Sequence, residues 1–463
     1  MASLETEIAL QARSLEIEAL SELRDCERAT GAALRFLIAP IRTLPIELLA
    51  EIFVLTIRKV SHMQDAYRVS HVCGHWRRVA HGTPRLWTGP LCLSLEADAE
   101  SEETYADGLR AWLARSALLP VPIYFTTQRP WHGGHILEEV LDVAFRWRSL
   151  CVFASLPVHL ARRLADIRLE ALEELQLPAV IVDFDPTGIL SFAAAPRLRK
   201  LTINVDCRIP MPWAQLTDIT LTTAPSLDIC LGIVVPCTNL VKLSLVARGS
   251  ILPPAEDDIL VFHHLRVLSI AFARGDSGAT EVQAMLFMGR LSAPALDDLQ
   301  LNLECAARIQ WDEDTFTAFQ SRSPNISKLE IKGYRSYLPA TALRAALVHA
   351  PSLTHLCLHR FRHSVDDALL SDLCYTDGVQ PLLPRLHNLS LTWVIGAGTS
   401  KDLLVSLFAS RWWTDADLAS RPPSTVARWT RIKLGSEVFS AFGQGFRARM
   451  EELRKAGLII ERG

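Results

Sequence analysis

The chain has 463 residues, of which 49% are hydrophobic and 21% charged, a composition that is ordinary for a globular protein with a large apolar core. Its 48 basic and 51 acidic residues leave a net charge of −3, so no overall field attracts nucleic acid or an anionic membrane. The apolar runs, such as 229–235, are far shorter than the roughly 18 residues of a membrane span, and the acidic start lacks the apolar core of a secretory signal.

Residues 1–38 carry apolar side chains at helical spacing, with charged residues between them. The apolar positions include Ile8, Leu15, Leu23 and Leu34. This loose heptad spacing predicts an amphipathic N-terminal helix. Two arrangements stay open, because such a helix can fold back on its own domain or form a short coiled coil.

The segment 41–89 is predicted to form a small helical unit. Pro45 suits the first position of a helix, because the N–H that it lacks would have no partner there. Short helices are expected at 65–73 and 74–81. The helix after Pro45 has two apolar stripes, which are Leu48, Ile52 and Leu55 on one side and Leu49 and Phe53 on the other. One stripe is enough for packing within so small a unit, so the second predicts a partner surface.

The acidic stretch 96–107 contains six carboxylates and no Lys or Arg, which predicts a solvated loop. A strand at 91–95 is expected before it. The hydrophobic pattern after it predicts a helix at 105–117, a strand at 121–126, a helix at 136–146 and a strand near 150–153.

From residue 172 onward, leucine-like residues recur at positions i, i+3 and i+5. Nine such triplets begin at Leu172, Leu198, Leu216, Leu240, Leu265, Leu296, Ile326, Leu353 and Leu386. The last two positions of each alternate as on a strand with one buried face. Helical patterns lie between triplets at 226–235, 280–291, 312–321, 341–348 and 401–412, and a helix at 436–456 with a strand at 458–460 closes the chain.

A strand and a helix repeated at 18- to 33-residue spacing are typical of a leucine-rich-repeat solenoid. The spacing is irregular, so an imperfect coil is expected. The predicted fold class is therefore α/β, with an N-terminal helix (1–38), a small all-helical unit (41–89) and an irregular solenoid with a C-terminal cap (90–463).

The residues from Ile41 to Trp87 resemble the F-box. The matching landmarks are Leu44-Pro45-x-Glu47-Leu48-Leu49, Ile52-Phe53, Val69-Ser70-x-Val72-Cys73, Trp76-Arg77, Val79-Ala80, Pro84 and Leu86-Trp87. Gly74-His75 departs from the basic residue that often follows the cysteine. With its repeats, the whole chain is similar to fungal F-box proteins with leucine-rich repeats.

This resemblance implies a non-catalytic substrate-recognition subunit of an SCF-type cullin–RING ubiquitin ligase. The implied adaptor-binding residues are Leu44, Pro45, Leu48 and Ile52, and the implied F-box core residues are Leu49, Phe53, Trp76 and Trp87. Segment 41–89 has seven Arg or Lys against three Asp or Glu, which favours an acidic partner surface. The alternative is a non-catalytic interaction scaffold whose F-box does not lead to ubiquitination.

In each triplet, the residue between the two buried positions must point to the opposite face of the sheet, which is the concave face of a solenoid. This face is polar and mixed in sign. It suits a polar protein segment, but it suits a plain solvated face equally well, with the target held by loops. The candidate target-binding residues are Lys200, Lys242, Lys328, His355, His359 and Arg360.

No cofactor or metal is expected. His71 and His75 lie one helical turn apart, but the Glu of the zinc-hydrolase motif is missing beside the first. No phosphate-binding glycine loop and no Gly-x-Ser-x-Gly elbow occurs. The ten cysteines occur without a Cys-x-x-Cys pair, which favours buried thiols in a reducing compartment, the cytosol or the nucleus.

Overall fold

The fold is described from a computed structural model. It describes residues 13, 16–31, 40–58, 61–94, 99–126, 134–153, 163–164, 166–177, 191–204, 209–224, 227–248, 259–273, 284–303, 311–333, 338–360, 364–376, 379, 381–393, 399–413, 415 and 426–463. The chain forms two compact units, Met1–Pro90 with Glu103–Val121, and Leu91–Glu102 with Pro122–Gly463.

The first unit is helical. Its helices are α1 (Ile46–Thr56), α2 (His62–Ser70) and α3 (Gly74–His81), with 3-10 turns at Pro40–Arg42 and Pro84–Trp87. The predicted boundaries of α3 are confirmed, whereas α2 begins and ends three residues earlier than the pattern indicated.

A helix at residues 16–31 precedes α1, and its Ile17, Leu20 and Leu23 are 67%, 61% and 61% exposed. Ile8, Leu15 and Leu34 of the predicted N-terminal helix lie outside the described residues. The choice between a folded-back helix and a coiled coil therefore stays a prediction.

The acidic stretch forms helix instead of a loop from Ala99 onward. Helix α4 spans Ala99–Arg115, so the prediction of a solvated loop over 96–107 is wrong for most of its length. Carboxylates in the first turns of a helix are favoured by the positive end of its dipole. Further along, Ala106, Leu109 and Trp112 recur at helical spacing and are at most 5% exposed, which gives α4 a buried face.

The second unit is built on a long parallel sheet of 14 strands. Fourteen strands follow one another in chain order, and a separate pair is made by β8 and β10. The strands are β1 (Leu91–Ser94), β2 (Val121–Thr126), β3 (Trp147–Val152), β4 (Glu174–Leu177), β5 (Lys200–Ile203), β6 (Asp218–Ala224), β7 (Lys242–Arg248), β8 (Leu260–Val261), β9 (Val267–Ala273), β10 (Leu291–Ser292), β11 (Asp298–Leu303), β12 (Lys328–Gly333), β13 (His355–His359), β14 (Asn388–Thr392), β15 (Arg431–Leu434) and β16 (Ile459–Arg462). The predicted α/β class is confirmed at this level, and such a sheet is consistent with a solenoid.

Each of the nine leucine triplets supplies one strand of this sheet. In β7, Leu243 and Leu245 are 0% and 1% exposed, whereas Ser244 between them is partly exposed. Equivalent positions also pair in register, as in Leu243 with Leu268 of β9. The alternation therefore stacks leucine on leucine along the buried face, where apolar burial stabilises each strand pair.

Short helices follow many of the strands. They are α5 (His135–Leu141), α6 (Leu227–Val234), α7 (Ala284–Gly289), α8 (Glu313–Arg322), α9 (Ala340–Val348), α10 (Asp367–Leu373), α11 (Lys401–Ser410), α12 (Ser436–Ala441) and α13 (Gly443–Lys455). The predicted helix at 136–146 ends at Leu141, and α10 was not predicted. Side-chain caps begin several of these helices. At the start of α10, for example, the Asp366 carboxylate accepts a hydrogen bond from the Leu369 N–H at 2.8 Å.

A buried arginine joins the last strands to α11. Arg411 is 0% exposed, and its Nη2 donates to the carbonyl oxygens of Leu386 at 2.7 Å and Pro384 at 3.0 Å. Its guanidinium carbon lies 4.6 Å from the centre of the Trp429 ring. Burial lowers the pKa of Arg411 to about 10. The Arg411 side chain thus provides hydrogen-bond donors for backbone carbonyls that precede β14. Removing its charge from water opposes this stabilisation.

The described cysteines contain no disulfide. Cys151, Cys230 and Cys237 are buried, as predicted, but Cys26 and Cys92 are exposed, so the prediction of buried thiols is wrong for those two. Within the same described residues, no helix is both long and apolar enough to cross a membrane.

Candidate docking surface

Helix α1 divides its apolar residues between two faces. Leu49 and Phe53 are 0% and 1% exposed and face the interior of the helical unit. On the other side, Ile46, Leu48 and Leu55 are 58%, 54% and 81% exposed. Within the chain, this outer face is therefore only partly covered.

The three remaining residues of the predicted adaptor-binding set extend this face. Pro45 is exposed at the start of α1, and Leu44 just before it is partly buried. Ile52 is also partly buried. The structure thus brings Leu44, Pro45, Leu48 and Ile52 together along one helix and its N-terminus, with apolar surface left in contact with solvent.

Aromatic packing holds α1 in place. Phe53 and Trp76 of α3 lie with ring centres 4.8 Å apart. Trp87 is 0% exposed, and its indole N–H donates to the Ala80 carbonyl at 2.8 Å. Trp112 of α4 meets Trp87 edge to face at 4.9 Å. Because the inner face is already filled by these rings, α1 cannot rotate to bury its outer leucines without losing this packing.

One buried carboxylate fixes the connection between α1 and α2. Asp65 is 8% exposed and accepts hydrogen bonds from the Ser61 hydroxyl at 2.6 Å and from the Arg58 backbone N–H at 3.3 Å. Arg68 also donates to it at 3.1 Å. The Ser61 hydrogen bond, helped by Arg58, lowers the pKa of Asp65 to about 2.

Several basic residues of the helical unit are exposed to solvent. Arg77, Arg78 and Arg85 are exposed, and Arg85 makes an ion pair with Glu51 of α1 at 2.5 Å. The local excess of positive charge in 41–89 thus lies on the outside of the unit, where it suits an acidic partner.

Cys73, which lies between the candidate zinc-binding residues His71 and His75, caps a helix. The Cys73 sulfur accepts a hydrogen bond from the Trp76 N–H at 3.5 Å and caps α3. Across the described residues, no group of three or more His, Cys, Asp or Glu side chains is arranged to hold a metal ion.

On the sheet of the second unit, the six candidate target-binding residues form two groups. Lys200 and Lys242 lie on β5 and β7, with Asp218 of β6 between them in register. The second group lies several strands away and consists of Lys328 on β12, His355 and His359 on β13, and Arg360 just after β13. Strands β9 and β11 separate the two groups.

His355 is the most constrained member of the second group. Its Nδ1 lies 2.8 Å from the Thr354 hydroxyl, and its Nε2 lies 2.5 Å from the Asn388 side-chain nitrogen. Burial, followed by the nearby His387 and Lys328, lowers the pKa of His355. A shallow groove on this part of the sheet is lined by His355 together with Lys328, Glu330 and Lys433.

Sequence reasoning missed Trp393 and Glu437, which lie beside this group. Trp393 directly follows β14 and is 44% exposed, and its backbone N–H donates to the Glu437 carboxylate. The sequence did contain one signal for Trp393, which is a tryptophan directly after the strand of a leucine triplet. The contact with Glu437 joins positions 44 residues apart, so no local pattern contained it.

Comparison with known families identifies the helical unit. The F-box-like family profile matches residues 41–92, a span that contains α1, α2, α3 and the turn Pro84–Trp87. The chain thus carries an F-box-like domain, which suggests a role in substrate recognition by SCF-type ubiquitin ligases. A comparison with curated proteins finds no match to this chain.

Proposed function

We propose that this protein is the substrate-recognition subunit of an SCF-type cullin–RING ubiquitin ligase. The observation that carries the proposal is the outer face of α1, where an F-box-like domain keeps Leu48 and Leu55 more than half exposed. F-box domains generally bind an SCF adaptor, and a helix with exposed aliphatic residues suits a groove in a partner protein. In this proposal, Leu44, Pro45, Leu48 and Ile52 contact the adaptor.

The second unit holds the target protein in this proposal. We interpret its nine leucine triplets as leucine-rich repeats of the kind found in fungal F-box proteins. Their paired strands build a long polar face, which offers a rigid surface for a protein ligand. Lys200 and Lys242, or the group around His355, then provide the contacts.

The proposed mechanism is proximity, with no chemical step performed by this chain. Binding the target to the second unit and the adaptor to the first holds a lysine of the target near a recruited ubiquitin-conjugating enzyme. The gain comes from a raised effective concentration of that lysine. This role also places the protein in the cytosol or the nucleus.

The proposal is tested by co-expressing the full chain with the adaptor and the cullin. Wild type is expected to co-purify with both, and the variant carrying Leu44→Ala and Pro45→Ala is expected to lose them. Leu118→Ala is the matched control, because Leu118 is 81% exposed in the same unit but lies outside α1.

Failure of wild type to bind the adaptor at micromolar concentration would reject the proposal. Recovery of the adaptor without the cullin would instead favour the scaffold alternative, in which the F-box binds but does not lead to ubiquitination.

A further inference from the structure

Two neighbouring strands end in the same uncommon backbone conformation. Arg360 and Trp393 have φ angles of 62° and 57°, in the left-handed region. They follow His359 and Thr392, which are paired in register on β13 and β14. In the described part of the chain, Ala117 is the one other non-glycine residue with positive φ. Large side chains seldom adopt this conformation because it crowds Cβ against the backbone.

Hydrogen bonds hold both residues in this conformation. The Arg360 N–H donates to the Thr392 carbonyl at 2.8 Å, and the Trp393 N–H donates to the Glu437 carboxylate. Gly435 leaves room for that carboxylate, since a Cβ at this position would clash with the Glu437 oxygens. Strain that the surrounding structure maintains in this way is concentrated at functional sites.

The side chains at these two positions are of the types that anchor protein interfaces. Trp393 is the one exposed tryptophan among the described residues, and Arg360 is exposed as well. The interface residues whose truncation weakens binding most are enriched in Trp and Arg.

We propose that Arg360 and Trp393 form a two-residue anchor for an extended segment of the target protein, in which a carboxylate side chain lies next to a large apolar one. The guanidinium pairs with the carboxylate, and the indole covers the apolar side chain. Adjacent strands are about 4.8 Å apart, and side chains two positions apart in an extended segment point to the same side about 6.6 Å from each other, so the long side chains of the anchor can contact such a pair. This anchor specifies how the second unit would hold its target, and it rests on the receptor role proposed above.

The test is selection of a random 12-residue peptide library, displayed on phage, against the full-length chain. We expect enriched peptides to carry Asp or Glu within two residues of an aromatic or large aliphatic residue. Arg360→Gly and Trp393→Gly should each weaken the enriched peptide at least tenfold, measured by fluorescence polarisation. Their thermal midpoints should stay unchanged or rise, because glycine adopts positive φ without strain.

Ala117→Gly is the matched control, because it relieves the same conformation in the first unit. Its peptide affinity should equal that of wild type. Any one of three results would overturn the proposal. They are enriched peptides that lack the acidic–apolar pair, unchanged peptide affinity in the two anchor variants, and lowered thermal midpoints in both variants. Selective binding of RNA in place of peptide would overturn it too.

Co-purification with the adaptor tests the proposed ligase role independently of the Arg360–Trp393 anchor. Both anchor variants should still bind the adaptor. Loss of adaptor binding in wild type with retained peptide binding would reject the ligase role and leave the anchor standing.

Discussion

Leu48 and Leu49 are neighbours in the sequence, yet α1 places them on opposite faces. Leu49 is 0% exposed within the helical unit, and Leu48 is 54% exposed on the proposed docking face. The same substitution, Leu→Ala, at each position therefore separates the two apolar stripes of the helix. Both variants keep helix propensity high, because alanine is the best helix former.

The two variants are expected to change different free energies, that of unfolding for Leu49→Ala and that of adaptor binding for Leu48→Ala. Truncating the fully buried Leu49 should cost about 2–5 kcal/mol of unfolding free energy. Full burial of a leucine side chain is worth about 1.5–3 kcal/mol, and roughly half of that remains available to a partner at Leu48. Leu48→Ala should therefore weaken adaptor binding by about 1 kcal/mol, which is about fivefold in Kd.

Two measurements check this reasoning on the full-length chain. Urea unfolding should show a lowered midpoint for Leu49→Ala and a nearly unchanged one for Leu48→Ala. Calorimetric titration with the adaptor should show the weaker Kd for Leu48→Ala. Equal destabilisation of both variants, or an unchanged Kd for Leu48→Ala, would refute the assignment of the two faces.

Three further outcomes are expected. Leu243→Ala, at a 0% exposed position of β7, should lower unfolding free energy by about 2–5 kcal/mol in urea and leave adaptor affinity unchanged. The folded-state pKa of Asp65 is about 2, below the usual 3.8 of an aspartate, so the stabilisation by this carboxylate is complete well above pH 4 and lost as pH falls towards 2. Asp65→Asn should therefore lower the urea midpoint at pH 7, and the difference from wild type should shrink below pH 4; a constant difference would contradict this. Burial raises the pKa of Cys237 to about 12, so iodoacetamide at pH 8 should modify exposed Cys26 and spare Cys237 in the folded protein, as read by mass spectrometry.

Much of the second unit could be predicted because its signal is local and repeated. Every triplet alternates over a few residues, and that alternation coincides with one strand at each of the nine positions. The helices were predicted less accurately. Helix α10 was missed, and the acidic start of α4 suggested a loop, since charge dominates its first turns while its buried residues come later.

The candidate sites depended more strongly on distant contacts. The sequence assigned the six candidate target-binding residues to one face of the sheet, and register then separates Lys200 and Lys242 from the group around His355. Trp393 acquires its position from Glu437, and Arg411 from carbonyls about 25 residues earlier. None of these partners lies within the span of a helical turn or a strand.

The sequence by itself determined the period of the strands, the landmarks of the helical unit and the presence of two apolar stripes on α1, because each is set by residues a few positions apart. The resemblance to the F-box assigned the outer stripe to a partner, but only the tertiary structure gave the physical reason, because the rings of Phe53, Trp76 and Trp87 fill the space on the other side of α1. It also decided that Arg360 and Trp393 end adjacent strands in the same backbone conformation, because register and long-range hydrogen bonds set both.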